Sequence, residues 1–170
     1  MLRNKLETPL ESATRATRTL IDLLGQDLPS YIWDDPFVLG FIYQAATAYA
    51  IQAGVAGDQL HYLSAMYLDL FEGDAEDILS RSAALHLSKD ASFHHGSSNA
   101  RRFIGAMGRT PASKDDATAI EANRQAQEAM LIADSSAPLT YNEALYIYLY
   151  DGLFASELRK RFPNLVERSG

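Results

Sequence analysis

Apolar residues recur at helical spacing through most of this chain. Leu10, Ala13, Thr17, Leu20, Ile21 and Leu24 form one stripe, with Glu11, Arg15, Arg18 and Asp22 on the opposite side. Thr8-Pro9-Leu10-Glu11 combines an N-cap, a first-position proline and a capping-box acid, and Gly25 follows as a stop. Asp34-Asp35-Pro36 starts a second helix that ends around Gly54. Asp58 opens a third, whose Leu60, Leu63, Met66, Tyr67, Leu70 and Phe71 follow the helical period until Gly73. Asp74 caps a fourth, running to about Ser88.

The pattern then weakens. Lys89 to Ser98 is polar and poor in helix formers, so a loop is predicted there, followed by a short helix over 99–107 stopped by Gly108. Ser113-Lys114-Asp115-Asp116 resembles a capping box with Asp in place of Glu, and predicts a helix to about Ala133. Its inward side is mostly alanine: Ala122, Ala126, Ala129 and Ala133. Thr140-Tyr141-Asn142-Glu143 caps a last helix, which Arg159, Lys160 and Arg161 suit as a C-terminus before Pro163. A strand competes at one place only. Residues 145–150 alternate Leu/Ile with Tyr, and Asp151-Gly152 is a hairpin dipeptide. The segment 153–162 does not alternate, which favours helix. The expected fold is all-α, an irregular bundle of about six helices in a single domain over 1–170, with residues 36–53 at its centre.

Pro36 to Gly57 contains no charged residue, which raises the question of a membrane span. Gln44, Thr47 and Gln52 interrupt the run, alanine replaces leucine, and both flanks are acidic; a buried central helix is the better reading. No membrane partner is expected. There is no cysteine, which excludes disulfides and thiolate chemistry, and no signal-peptide core follows Met1 to Glu7. A cytoplasmic location is the corresponding expectation.

Charge alters the picture more than composition does. Ten acids and no Lys or Arg lie between Arg18 and Arg81, within a chain of net charge −7. Six of them (Asp34, Asp35, Asp58, Asp74, Glu76 and Asp77) fall at helix starts, where acids meet free amides and the helix dipole. Asp69, Glu72 and Glu76 are the candidate partner-binding residues, on an acidic face suited to a basic partner. A sequence pI near 5.0 and dispersed arginines disfavour nucleic acid.

The segment Lys89–Arg102 holds the candidate ligand site. With Ser97 or Ser98 capping a helix that starts at Asn99, free amides and hydroxyls would converge with His94, His95, Arg101 and Arg102 on an anion. No phosphate-loop or dinucleotide fingerprint accompanies them. The four histidines lack metal-site spacing, no serine sits in a nucleophile elbow, and no cofactor is implied. Two functions from different classes follow. The first is a non-catalytic helical protein that binds another protein in an adaptor, regulatory or immunity-like role. The second is an anion- or phosphate-binding domain or enzyme built on the His-His-Gly-Ser-Ser segment. A two-fold homodimer is expected through the alanine side of the 113–133 helix, where small side chains admit a second helix.

Overall fold

Both capping boxes form. In the computed structural model, which describes residues 6–24, 29–132 and 139–168, the Thr8 amide donates to Glu11 Oε2 at 2.8 Å. The Glu11 amide in turn donates to Thr8 Oγ1 at 3.2 Å. The same reciprocal pair joins Thr140 and Glu143. These start α1 (Pro9–Asp22) and α7 (Tyr141–Tyr150). Gly25, read as the stop after α1, and Ala133, read as part of the alanine side, lie outside the described residues. Every regular element among the described residues is helical, so the all-α class is observed, and the chain divides into two compact units, Met1–Ser98 and Asn99–Gly170.

In the first unit Ala13, Thr17 and Leu20 of α1 are buried, as the stripe requires, and α1 packs on α2 (Pro36–Ala53). Asp35 caps α2, its Oδ1 accepting from the amides of Phe37 and Val38 at 2.9 and 3.2 Å. Seven consecutive α2 residues, Phe37 to Tyr43, are buried, which explains the missing charges: nearly the whole circumference of this turn faces protein. Gly54, at φ 77°, ends the helix. α3 (Gln59–Phe71) and α4 (Ala75–Leu87) are joined by a three-residue turn and pack along each other. Leu39 and Tyr43 of α2, Leu63, Met66 and Tyr67 of α3, and Ile78 and Leu79 of α4 share one core with Phe93.

The expected loop at 89–98 is helix instead. Lys89 takes the left-handed conformation (φ 57°) that closes α4, and the next residue, Asp90, begins α5 (Ala91–Met107). Asp90 Oδ1 accepts from the Phe93 amide at 2.9 Å, a capping arrangement. Weak helix formers tolerate this because tertiary packing outweighs propensity. A Cβ on Gly96 would come 2.0 Å from the Phe37 carbonyl oxygen, and one on Gly40 would come 2.0 Å from that of Phe93. The glycines let α2 and α5 cross backbone to backbone, so Gly96 is a packing residue rather than loop punctuation.

The second unit contains the end of α5, a turn at Pro111–Asp115, then α6 (Ala117–Ile132), α7, a wide helical turn at Asp151–Ala155, and α8 (Ser156–Arg161). Ser113 does not cap α6; its hydroxyl donates to the Thr110 carbonyl at 2.6 Å. Asp116 caps it instead, Oδ1 accepting from Thr118 and Ala119 amides. Ala119, Ala122 and Ala126 are buried and α6 packs on α7, so these alanines are used within the chain and do not offer a face to a second copy. Asp151-Gly152 forms no hairpin. It opens a π-type turn that continues the helix, and the buried Asn99 amide donates to the Leu153 carbonyl at 2.8 Å.

Candidate functional site

An apolar groove runs between α3 and α4. Leu60, Ser64 and Leu68 recur every four residues along α3, and Ser80, Ala83 and Leu87 line the α4 side. Small residues in the middle of both rows form the floor and the leucines form the walls. Leu60, Leu68 and Leu87 are 57%, 63% and 80% exposed, and the groove encloses about 700 Å³. Leu60 follows the same helical period as Leu63, Met66 and Tyr67, yet they are buried and it is not. It borders the covered face instead, since the groove stripe at 60, 64 and 68 runs directly beside the buried one at 63, 66 and 67. A sequence signal for the groove existed in that second stripe, but a helix with a broad apolar arc does not say which part of the arc is covered.

The rim is acidic. Glu76 lines the groove itself, and Glu72 and Asp74 form the turn between the helices. Asp58, Glu72, Asp74 and Glu76 make no ion pair among the described residues, whereas Asp34, Asp69 and Asp77 do. Asp69 accepts from Arg18 at 3.0 Å, and Arg81 bridges Asp34 and Asp77. Of the three candidate partner-binding residues, Asp69 is ion-paired, and Glu72 and Glu76 have no ion pair among the described residues. Glu72 also sits at φ 47°, a left-handed position that holds the tight α3–α4 connection.

The candidate anion residues stand differently from their expected arrangement. Residues 94–102 lie inside α5, so the amides meant for an anion belong to the helix interior, and neither Ser97 nor Ser98 is a cap. Ser97 is 4% exposed and donates to Gln44 Oε1 at 3.2 Å. Ser98 is exposed. His94 and His95 are exposed, with the His94 ring centroid 5.7 Å from that of His86 and the His95 ring 5.4 Å from Phe37. Arg102 pairs with Asp116 through two bonds of 2.6 and 3.0 Å and also donates to Asn99 Oδ1 and Thr118 Oγ1. Arg101 and Arg102 together line a small cleft of about 170 Å³ that also contains Asp116. Hydrogen bonding to Arg102, aided by the α6 amides and opposed by partial burial, holds the Asp116 carboxyl below the usual carboxylate range.

Among the described residues no group of three or more His, Asp or Glu is placed to hold a metal, and no helix is long and apolar enough to cross a membrane. Set against known protein families, curated proteins and solved structures, the chain finds no match in any of the three.

Proposed function

We propose that this protein acts by binding another protein, receiving an amphipathic helix of its partner in the α3–α4 groove. The carrying observation is the pairing of an exposed leucine-walled trough with a rim of unpaired acids. A helix laid in such a groove places residues at i, i+3, i+4 and i+7 against it, and its flanking Lys or Arg meet the acids. Leucine burial supplies affinity and the charges supply orientation and rate. A second copy of this chain is the poorer occupant, because two-fold pairing groove to groove would set like-charged rims together. This is a binding role of the adaptor, regulatory or immunity-like kind, without catalysis.

The test uses two synthetic peptides of about 15 residues, roughly 22 Å as helices. Both carry leucines at helical spacing; one has Lys and the other Glu at the remaining positions. The Lys peptide is expected to bind at least about tenfold more tightly, a difference of roughly 1.4 kcal/mol. Leu68→Ser should weaken it by about fivefold or more, whereas Ile147→Ser, an exposed apolar position in the second unit, should not. Equal binding of both peptides, or indifference to Leu68→Ser, would remove the proposal.

A further inference from the structure

The second unit contains a cleft that the protein-binding reading does not use. It lies among the end of α5, the 111–115 turn, α6 and α7, and encloses about 550 Å³, within the usual range for small-ligand sites. Ala106, Ala119 and Leu145 give it an apolar floor, with the exposed Ile120 at one side. Arg109 and Lys114 line it as well, and neither side chain has an ion-pair or hydrogen-bond partner among the described residues. Arg15, Arg18, Arg81, Arg102, Arg124 and Arg159, by contrast, are each paired with an acid. Asn123 and Gln127 add carboxamides. The Tyr141 hydroxyl donates to Asn123 Oδ1, so the Asn123 oxygen is engaged as an acceptor and its NH2 group is the donor of that carboxamide.

The Arg109 backbone gives a second, independent observation. The Arg109 and Thr110 amides close α5 by donating to Ala106 and Gly105 at 3.1 and 2.9 Å, which puts Arg109 at φ 54°. That left-handed position favours glycine, and a glycine stands one residue earlier, at 108. The chain thus carries a long cationic side chain where the fold would be served better by none. Lys89 closes α4 in the same conformation (φ 57°), and of the two only Arg109 lines this cleft.

We propose that this cleft binds a small organic phosphate monoester, with its head between Arg109 and Lys114 and its apolar body on Ile120 and Leu145. Two cations without an ion pair among the described residues match a dianion better than a carboxylate, and Arg offers a forked set of donors to phosphate oxygens. The apolar floor excludes bare phosphate as the best ligand, since that ion would leave the floor unused.

Phenyl phosphate is the probe, titrated into the full chain and followed by amide chemical shifts. Shifts are expected at Arg109, Lys114, Asn123 and Tyr141, with binding at least about tenfold tighter than phenylacetate or inorganic phosphate. Arg109→Gly is the informative variant. It should lose about tenfold or more in affinity while melting no lower than the wild type, because glycine relieves the backbone. Lys114→Gln should also weaken binding, with no change in melting. Three results would each overturn the assignment: no cleft shifts at tens of millimolar phenyl phosphate, equal binding of phenylacetate or inorganic phosphate, or an Arg109→Gly protein that binds as before.

Discussion

Gly96 and Gly40 are each surrounded by backbone atoms of the helix they face. On helix propensity alone, Gly→Ala inside a helix gains about 1 kcal/mol. Here the added methyl would overlap a carbonyl oxygen that cannot rotate away, so the sign reverses. Gly96→Ala is expected to destabilise by about 3 kcal/mol, at the upper end of ordinary overpacking. Chemical denaturation measures it, and a stabilised Gly96→Ala protein would show that α2 and α5 do not cross there. Arg102 makes the opposite point. Read from sequence as an exposed ligand contact, it should be removable without loss. In the structure it ties Asp116, Asn99 and Thr118 together, so Arg102→Ala should cost about 2 kcal/mol even after allowance for a guanidinium more than a third exposed to screening water. The Asp116 carboxyl titrates lower folded than unfolded, so its contribution is present above its unfolded pKa and is lost as pH falls through the folded one. The stability gap between wild type and Arg102→Ala should be constant from pH 7 to about 5 and shrink below about pH 4. A gap unchanged at low pH would mean the pair does not carry it.

At the scale of elements, α2 is the test of the architecture. Phe41 is fully buried in its run of seven covered residues, and Phe41→Ala should cost about 3–5 kcal/mol. A loss under about 1 kcal/mol in a denaturant titration would remove α2 from the centre. The two capping boxes, the prolines at helix starts and the acids before Phe37 were legible because they are local chemistry, completed within four residues. α5 was half legible. Its latter part carries Phe103 and Ile104 at helical spacing, but 89–98 has Ser, His and Gly where helices have Ala and Leu. The Asp90 cap was the available signal. What makes helix prevail there is the close crossing with α2, a contact more than fifty residues away in sequence, and no local pattern encodes that distance.

For the whole molecule, segregated charge has a measurable consequence. The acids between Arg18 and Arg81 that find partners do so largely with Arg18 and Arg81 themselves, while those bordering the α3–α4 groove do not. Binding of the Lys peptide should therefore weaken steadily as salt rises from 50 to about 500 mM, since exposed charges are screened beyond roughly a Debye length. The Leu68→Ser loss should be nearly the same at every salt, because leucine burial is not screened. A salt-independent Lys-peptide affinity would leave the acidic rim without a role. The sequence by itself determined the all-α class, most helix boundaries, the two capping boxes and the uncharged helix over 36–53. All of these depend on residue spacing and local hydrogen bonding. It also located the stretch between Arg18 and Arg81 that carries acids and no Lys or Arg. Only the tertiary structure decided which leucines of α3 stay uncovered, that the alanines of α6 are taken by α7, that Ser97 and Arg102 turn to Gln44 and Asp116, and that Arg109 and Lys114 are left facing a cleft. Those outcomes depend on which distant segment arrives at each face, and a periodic pattern says that a face is apolar or charged without saying what meets it.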